Sequence, residues 1–393
     1  MEINAKDAAL KILNWAQRQD FEGIDPYDAL NSPLAGPLTL GTKIGRIALT
    51  QILRRSPVNL RPPLLIKRGR NPKALALFLE GCVALDSERC AESKELHATS
   101  ERLLTHLLAL RSKGASGSAW GYNFPWQNRF QLLPRYTPTI VNTSFAGHAL
   151  LDLHEEYGNE RALDLALTTP KFILEDLNRL DDGEDSFCFS YTPLDRNFVH
   201  NANLLGASLL ARIAVRYDRS ELLDPALCAL RYSARRQRDD GSWFYAERKE
   251  QNWVDSFHTG FNLEAIRRVL NLGLMPELRS CFEKGVRFYA ENFFLEDGTP
   301  KYYADRLYLV DIHAPAEAIY FFSSEIGYEE LANRILNWTL DNMYDRNTGL
   351  FYFRKKGAIT IKTPYMRWSE AWAFRALARY SQATPKRALE NDA

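Results

Sequence analysis

The chain has 393 residues, of which 46% are hydrophobic and 25% are charged, and it carries 50 basic and 49 acidic side chains. These shares are typical of a soluble globular protein with one large or two ordinary domains. The formal net charge of +1 provides no global field that would attract nucleic acid or an anionic membrane, so we expect no nucleic-acid partner.

The cysteines and the N-terminus bear on the cellular location. The five cysteines are odd in number and lack zinc-type spacing: Cys82, Cys90, Cys188, Cys228 and Cys281. We therefore expect reduced thiols, no metal site and no other cofactor. Residues 1–7 lack a basic region followed by an apolar run, and no apolar segment is long enough to cross a bilayer. These features predict a cytoplasmic protein without a signal peptide or a transmembrane segment.

The first 85 residues contain three predicted helices and a lead-in rich in turn residues. Apolar side chains at helical spacing predict helices over Ala5–Arg18, Thr42–Arg55 and Pro72–Leu85. The segment Asp25–Pro33 predicts an extended stretch that either covers the open end of the domain or serves as a capped connector. The basic cluster Lys67–Arg70 is typical of a solvated turn.

From Glu92 onward the sequence repeats a unit made of an amphipathic helix, a turn rich in Asp, Asn and Gly, and a second helix. The second helix is the more apolar one and is expected to be buried around most of its circumference. The first helices are predicted at residues 92–112, 161–180, 221–237, 276–293 and 328–344. The second helices are predicted to begin near Thr143, His200, Ser256, Ile312 and Trp368. A residue of positive φ is needed at the intervening turns, which lie at Asp182, Asp240, Asp297 and Asn347.

A small residue recurs near the start of each second helix. These residues lie 59, 54, 56 and 55 positions apart: Gly147, Gly206, Gly260, Ala316 and Ala371. Five units plus the Pro72–Leu85 helix and its predecessor make six hairpins, which predict an all-α fold, the (α/α)6 toroid. An open solenoid is the alternative. We expect residues 1–70 to form the lead-in part of the toroid, residues 71–382 its hairpins, and residues 383–393 a polar tail.

The repeated units resemble α/α-toroid proteins. One branch comprises terpenoid cyclases and prenyltransferases, and the other comprises six-hairpin glycosidases, polysaccharide lyases and sugar epimerases. Residues 237–243 (QRDDGSW) fit the Q-x3-G-x-W turn of the squalene-cyclase group. The sequence has neither the Asp-x-Asp-Asp acid motif nor the His/Asp/Cys zinc set of the terpenoid branch. Terpenoid cyclase-like chemistry is therefore the less favoured alternative.

A second resemblance is more specific. Asp25–Pro33 (DPYDALNSP) together with Trp120–Gln127 (WGYNFPWQ) resembles a bacterial and archaeal family associated with exopolysaccharide or surface-glycan biosynthesis. The resemblance covers most of the chain. It implies a glycan context and leaves the reaction open.

Asn or Asp stands five positions before four of the five small residues, at Asn142, Asn201, Asp255 and Asp311. These side chains are expected to cap the second helices, because their oxygens accept from the free N–H groups of the first turn. In a toroid the same helix starts surround one mouth of the barrel. The positive ends of the helix dipoles there would favour an anionic sugar.

Histidines and carboxylates near those helix starts are the candidates for proton transfer. His200, His258 and His313 fall at nearly equivalent positions, and histidine exchanges protons near neutral pH. No local spacing supports metal binding by the three. Asp255, Asp311 and Glu370 are the carboxylates best placed for the acid and base of a glycosidase.

Aromatic residues in the loops are expected to line the same mouth, because aromatic faces suit the C–H faces of sugar rings. Packing between hairpins is the alternative. The aromatic candidates are Trp120, Tyr122, Trp126, Trp243, Tyr245, Tyr302, Tyr352 and Trp368. Neighbouring arginines that could hold a carboxylate bidentately are Arg129, Arg306 and Arg367. Tyr122 could act as a proton donor if such cations lower its pKa.

The sequence therefore predicts an enzyme that acts on an acidic oligo- or polysaccharide in exopolysaccharide or surface-glycan biosynthesis. In uronate proton abstraction (epimerase or lyase), the base is His258, His313 or Tyr122, and Arg367 binds the carboxylate. In glycoside hydrolysis, Asp255 pairs with Asp311 or Glu370. The substrate-binding candidates are Trp120, Trp126, Arg129, His200, Asn201, Trp243, Tyr302, Arg367 and Trp368. A non-catalytic glycan-binding or scaffold toroid is the alternative from another class.

Overall fold

Helices make up most of the chain in the computed structural model, which describes residues 4–86, 91–183, 185–307 and 309–391, with side chains described as far as residue 383. The helices are α1 Ala5–Arg18, α2 Ala35–Thr39, α3 Lys43–Arg55, α4 Pro72–Asp86, α5 Ser93–Ala109, α6 Ile140–Tyr157, α7 Glu160–Lys171, α8 His200–Arg216, α9 Leu223–Ala234, α10 Ser256–Asn271, α11 Leu278–Phe293, α12 His313–Phe322, α13 Glu329–Asn342 and α14 Trp372–Asn391. None of the described helices is long and apolar enough to cross a membrane.

Short antiparallel strands of two or three residues occupy parts of the connections. They are β1 Trp126–Gln127, β2 Leu132–Leu133, β3 Arg179–Asp181, β4 Phe187–Phe189, β5 Val310–Asp311, β6 Tyr344–Asp345, β7 Leu350–Phe351, β8 Arg354–Lys356 and β9 Ile359–Ile361. The ladders pair β1 with β2, β3 with β4, β6 with β7, and β5 with β8 and then β9. These ladders tie down the connections between helices and contribute no sheet core.

The chain forms two compact units. The first comprises Met1–Arg111, Trp120–Thr137 and Leu309–Ala393, and the second comprises Ser112–Ala119 and Pro138–Tyr308. The predicted boundaries at residues 70 and 382 follow the sequence repeat instead and stay a prediction. The predicted polar tail falls on the end of α14 and beyond, where side chains lie outside the described residues.

Each unit contains three apolar helices that pack in sequence, and each apolar helix has an amphipathic partner. In the first unit α12, α14 and α4 pack in that order, with α13, α1 and α5 as their partners. In the second unit α6, α8 and α10 pack in that order, with α7, α9 and α11 as their partners. The apolar helices are buried along almost their whole length, as their composition predicts.

Most predicted helices are confirmed, and the exceptions have local causes. The predicted starts at His200 and Ser256 are those observed, whereas α6 begins three residues early because Thr139, not Asn142, caps it. The predicted helix 161–180 stops at Lys171, where a π-helical turn leads into β3. The segment before α14, Met366–Ala371, is likewise a π-helical turn rather than its first α-helical turn.

The helix assigned to the sixth hairpin was wrong. The sequence pattern pairs α3 with α4, the Pro72 helix. In the structure α4 packs on α5, and the sixth amphipathic helix is α1, which packs on α14. Only Thr50 and Leu53 of α3 are buried, because α3 packs on the lead-in and not on the apolar helices. A hydrophobic stripe in the sequence could not distinguish these two partners.

The recurring small residues allow apolar helices to approach one another closely. A Cβ atom added to Gly147 would lie 2.6 Å from Leu209 of α8, and one added to Gly206 would lie 2.4 Å from Ile140 of α6. A Cβ on Gly81 of α4 would lie 2.5 and 2.7 Å from two ring atoms of Phe374 on α14. At Gly147 and Gly206 the recurring small residue is therefore a packing requirement. At the turns, Gly183, Gly241, Gly298 and Gly349 have the predicted positive φ.

Gly81→Ala is expected to destabilise the protein, although alanine is the better helix former. The rigid Phe374 ring cannot move aside as a flexible side-chain end can, so overpacking should cost about 1–3 kcal/mol and outweigh the gain in helix propensity. Urea denaturation measures the change. Gly36→Ala in α2 is the matched control, since nothing lies within 4 Å of its added Cβ. Equal stability of the two variants would contradict the packing role of Gly81.

Candidate functional site

The start of α10 places an aspartate and a histidine in direct contact. Asp255 has an extended backbone and caps the helix, with its Oδ1 accepting from the His258 backbone N–H at 3.0 Å. Its other oxygen, Oδ2, lies 2.7 Å from Nδ1 of the His258 ring. Because the two residues are three positions apart, one carboxylate can cap the helix and bind the imidazole at the same time.

Asp255 fixes the orientation of the His258 ring. The carboxylate is buried, and Oδ2 also accepts from the Trp253 indole N–H at 2.9 Å. Because a carboxylate only accepts hydrogen bonds, Nδ1 of His258 carries the proton and donates it. Nε2 is then the ring atom that can take up or release a proton. The His258 side chain is 22% exposed, so a ligand can reach it.

A small pocket, open at one side, surrounds this pair within the second unit. Asp255, His258, Thr259 and Asn262 recur at helical spacing on the first two turns of α10, and they face residues from α8 and from the connection before α10. The residues that line the pocket are Asn201, Trp243, Phe244, Tyr245, Trp253, Asp255, His258, Thr259 and Asn262.

Two buried amide oxygens in this pocket lack hydrogen-bond partners among the described residues. They are Oδ1 of Asn201 and Oδ1 of Asn262, on residues that are 4% and 3% exposed. An unmet buried acceptor costs about 1–3 kcal/mol, so such groups usually await a ligand or an ordered water. Both residues line the pocket, so their amide oxygens are the candidate acceptors for O–H or N–H groups of a ligand.

Aromatic rings form one wall of the pocket. Tyr245 and Trp253 are stacked, with centroids 4.7 Å apart and planes 12° apart, and the Tyr245 ring lies 4.5 Å from that of His258. Flat apolar faces beside polar acceptors suit a ring that has C–H faces and hydroxyl edges. No group of His, Cys, Asp or Glu in the described part of the chain is arranged to hold a metal ion.

The equivalent aspartate of the first unit is arranged differently. Asp311 is fully buried; its Oδ1 accepts from the His313 backbone N–H and the Trp368 indole, and its Oδ2 accepts from Arg354 Nε at 2.6 Å. An arginine thus occupies the position that the histidine ring has at Asp255. The His313 ring lies between Trp368 and Trp372 and is 2% exposed. The predicted catalytic roles of Asp311 and His313 are corrected to structural ones.

Glu370 lies in the interior of the first unit, and it is not among the residues that line the pocket around His258. It has no exposed surface, and its Oε2 accepts from the Phe351 backbone N–H at 3.2 Å. Burial raises the pKa of this carboxyl well above its usual range, which favours its uncharged form. The predicted role as a glycosidase carboxylate is corrected, because a ligand cannot reach it.

Arg367 is already bound to a carboxylate of the protein. Its guanidinium contacts both oxygens of Asp25, at 2.6 and 2.8 Å, and the residue is 3% exposed. The predicted clamp for a substrate carboxylate therefore holds the lead-in segment. Tyr122 is half-buried, is stacked on Phe124 and lies 5.1 Å from the Arg367 guanidinium, which places it in this structural cluster.

The two motifs of the glycan-family resemblance meet around Asp25. A second small pocket, within the first unit, is lined by Asp25 and Asn31 of one motif, Asn123 of the other, and Arg367. Arg61 binds Asp28 beside it, and burial raises the pKa of Asp28 to about 6. The described polar contacts here join protein groups to one another, so we assign this cluster to anchoring of the lead-in.

The predicted aromatic platform is only partly present. Trp120 is fully buried and donates to the Leu107 carbonyl, and Trp243 is 2% exposed and donates to the Ser233 carbonyl. Both indoles are buried and bound to a backbone carbonyl, although Trp243 also borders the pocket of the second unit. Trp120 is therefore corrected to a core residue.

The remaining predicted binding residues are scattered. Trp126 is half-buried against the edge of Tyr122, Arg129 is exposed at the β1–β2 turn, and Tyr302 packs edge-on against Phe257. Trp368 holds Asp311. Of the predicted residues, the structure brings together Asp255, His258, Asn201, Trp243 and Tyr245.

Asn201 was predicted to cap its helix, but it lies inside α8, whose capping residue is Val199. Asn142 likewise lies inside α6, fully buried, with neither amide atom hydrogen-bonded to a described residue. Trp253 and Asn262 line the pocket but are not among the residues predicted from the sequence. The spacing of Asn262 from Asp255 and Thr259, at i, i+4 and i+7, would have indicated a shared helix face.

His200 is expected to make the protein sensitive to acid. Burial, and next the Arg236 guanidinium, lower the pKa of His200 to about 3. Glu247, 3.3 Å from its ring, offsets this little because that carboxylate already binds Arg236. In the unfolded chain His200 has the ordinary histidine pKa of 6.5, so below that pH the unfolded state binds a proton that the folded state does not. The free energy of unfolding is therefore highest above pH 6.5 and decreases as the pH falls toward 3.

His200→Gln should remove this dependence. Relative to the variant, the wild type should lose about 2 kcal/mol of unfolding free energy between pH 6.5 and pH 5, because each pH unit is worth about 1.4 kcal/mol. Urea titrations at the two pH values measure the difference. The exposed His97, changed to glutamine, is the control. A parallel pH dependence of wild type and His200→Gln would show that folding does not lower the pKa of His200.

Comparison with solved structures identifies the fold. The chain aligns with cellobiose 2-epimerase from Bacillus thermoamylovorans at a TM-score of 0.62 and 12% identity, over 79% of this chain and 88% of that one. It aligns with the family 76 α-mannanase BT2949 of Bacteroides thetaiotaomicron at 0.57 and 12% identity, over 81% and 87%. The Lin0763 protein from Listeria innocua aligns at 0.62 and 12% identity, over 99% of both chains.

These alignments confirm the predicted fold class: the chain has the (α/α)6-toroid fold of the six-hairpin glycosidase-like proteins. At 12% identity they establish the fold alone. No protein-family model and no curated protein matches the sequence. The open solenoid is excluded by the fold match.

Proposed function

We propose that the protein is a sugar epimerase or isomerase that transfers a proton through His258. The buried Asp255–His258 pair, which faces a pocket with two unpartnered amide oxygens and an aromatic wall, carries this proposal. An oriented imidazole can remove the proton from the carbon next to a sugar carbonyl, which leaves an enediol. Return of the proton to the former carbonyl carbon gives the isomer, and return to the original carbon after the enediol has turned over in the pocket gives the epimer. Structures with this fold include a cellobiose 2-epimerase and an α-mannanase, so saccharide chemistry is known on it.

Glycoside hydrolysis has less support from this pocket. Hydrolysis of this kind uses two carboxyl groups on either side of the scissile bond. Asp255 is the single carboxylate among the residues that line the pocket, and His258 and Trp253 occupy it. Asp311 binds Arg354, and Glu370 is buried, so neither of the predicted partner carboxylates is free for this role.

A neutral sugar fits the pocket better than the acidic one that the sequence suggested. The lining residues include no Lys or Arg, and the proposed clamp, Arg367, binds Asp25. The two amide oxygens accept hydrogen bonds, as sugar hydroxyls require. A role in surface-glycan biosynthesis and a cytoplasmic location remain proposals that rest on the sequence.

Hydrogen exchange tests the reaction directly. The protein is incubated in D₂O with mannose, glucose, cellobiose and a reducing uronate disaccharide, and deuterium at C2 and C5 is followed by NMR. We expect exchange at C2 of a neutral sugar, with a second sugar appearing as it proceeds. His258→Gln should abolish the exchange.

The other outcomes separate the alternatives. Exchange at C5 of the uronate would support the acidic-sugar hypothesis, and new reducing ends from an oligosaccharide would support hydrolysis. Saturable binding that depends on Asn201 and Asn262 without any turnover would identify a glycan-binding module and overturn the enzymatic proposal.

A further inference from the structure

The segment from residue 34 to residue 70 differs from the rest of the chain in charge. It contains eight Lys and Arg residues and no Asp or Glu, whereas the remaining residues include 42 basic and 49 acidic side chains. A nearly neutral chain thus concentrates its positive charge in one stretch of the first unit. The net charge of +1 conceals this asymmetry.

The same segment exposes many large apolar side chains. Leu40 is 84% exposed, Ile44 is 80% exposed and Val58 is 66% exposed. Others in the segment with more than a third of their surface in solvent are Leu34, Leu38, Ile52 and Leu65. Single exposed apolar residues are ordinary on a protein surface, but seven within so short a stretch indicate an interaction site.

Helix α3 has two apolar faces, and only one of them is covered. Leu53 packs with Ala29 and Ile66, flanked by Leu49. On the other side Ile44, Ala48, Ile52 and Arg55 recur at helical spacing and are all exposed. The exposed stripe is therefore not required for the folding of α3 onto the lead-in.

Several basic side chains of segment 34–70 are not neutralised by the protein. Lys43, Arg55 and Lys67 are exposed and form no ion pair with any described residue, and Arg68 binds the neutral side chain of Gln19. In contrast, Arg61 is buried on Asp28, and Arg70 pairs with Asp20 and Glu22. Uncompensated positive charge thus occurs in the same segment as the exposed apolar side chains.

The neighbouring β1–β2 hairpin extends this surface. Arg46 of α3 donates to Gln127 of β1 at 2.8 Å, which holds the hairpin against the helix. Phe130 and Leu132 at and after the hairpin turn are exposed, and so is Arg129. An exposed aromatic beside basic residues is typical of a surface that inserts shallowly into lipid headgroups.

We propose that α3 and the rest of segment 34–70 bind the surface of an anionic lipid bilayer, with Ile44 and Ile52 entering the headgroup region. Charge complementarity selects this partner, because anionic lipids attract clustered Lys and Arg. A bilayer can also bury the exposed apolar side chains, which a purely charged partner would leave in water. The segment lies on the surface and does not span the bilayer.

Vesicle co-sedimentation of the full-length protein tests this assignment. Vesicles of phosphatidylcholine alone are compared with vesicles containing about 30% phosphatidylglycerol, at low and high salt. We expect binding only to the anionic vesicles, weakened about tenfold in roughly 0.5 M salt because screening shortens the reach of the charges. Ile44→Ser with Ile52→Ser should weaken binding at least about tenfold, since two buried apolar side chains are removed.

A charge variant has a matched control. Lys43→Gln, Arg55→Gln and Lys67→Gln together should weaken binding on the order of 100-fold, because each basic residue near the bilayer contributes about fivefold. Lys113→Gln, Lys249→Gln and Lys284→Gln change the net charge equally at exposed positions elsewhere and should have little effect. Ile326→Ser, at a residue that is 92% exposed, is the apolar control.

Three results would overturn the proposal: no binding to anionic vesicles, equal binding by the Ile44/Ile52 variant, or equal loss in both charge variants. A dimer in light scattering that the Ile44/Ile52 variant abolishes, without vesicle binding, would assign the stripe to self-association instead. All substituted side chains are exposed, so unchanged melting temperatures should confirm that every variant folds.

Discussion

Replacing Asp255 with asparagine is expected to lower sugar turnover by about 10² to 10⁴-fold while leaving α10 in place. Asparagine caps helices as well as aspartate does, so the bond to the His258 backbone N–H can persist. The neutral amide, however, cannot hold the Nδ1 proton as a carboxylate does. The ring can then present the wrong nitrogen or the wrong orientation to a substrate.

The split between kcat and KM distinguishes this role from a structural one. Asp255 acts through His258 and not on the sugar, so kcat should fall while KM changes little. Asp311→Asn is the matched control, since that residue occupies the same repeat position but binds Arg354. It should reduce stability and leave turnover per folded molecule unchanged. An Asp255→Asn variant with full activity would exclude the Asp255–His258 pair as the reacting centre.

Replacing Arg375 with methionine is expected to lower the free energy of unfolding by about 3–5 kcal/mol, more than Gly81→Ala does. Arg375 of α14 is 1% exposed and binds both oxygens of Glu80 on α4, at 2.8 and 3.0 Å, and Glu317 on α12 at 3.4 Å. It therefore joins all three apolar helices of the first unit. Its removal leaves two buried carboxylates without their cation.

Chemical denaturation measures this loss, and α14 supplies the control. Arg379 lies one turn further along the helix, is partly buried and binds Ser324 and Gln382, which are neutral. Arg379→Met leaves no buried charge behind, so it should cost less than about 1 kcal/mol. If both variants unfold at the same denaturant concentration, the three-helix junction is not held by this charge cluster.

The fold was predictable because it repeats. Five small residues recur at nearly constant spacing with an apolar helix at each, and this repeat predicts the same helix packing along the chain. The close contacts at Gly147 and Gly206 explain why the residue there is small. The pairing of α1 with α14 was not predictable. Residues from opposite ends of the chain meet there, and no local pattern marks which amphipathic helix closes the set.

The site was predictable only in part. Asp255 and Asp311 stand in similar sequences, and each accepts from a helix N–H and a Trp indole, but the third group that binds each carboxylate differs. The histidine ring binds one carboxylate and Arg354 binds the other, and Arg354 comes from a strand 43 residues later. Similarly, Trp120 and Trp253 both stand in aromatic loops. One donates to a backbone carbonyl in the core and the other to the site aspartate. Such differences depend on tertiary contacts.

The packing of α1 on α14 also determines when the first unit can be completed during synthesis. This unit consists of Met1–Arg111, Trp120–Thr137 and Leu309–Ala393, so it lacks three of its helices until the last quarter of the chain has left the ribosome. The second unit is nearly continuous and can form earlier. Until α14 has been synthesised, the apolar faces of α1 and α4 that pack on it stay uncovered in the nascent chain. Slowly translated or C-terminally truncated chains should therefore aggregate through the first unit.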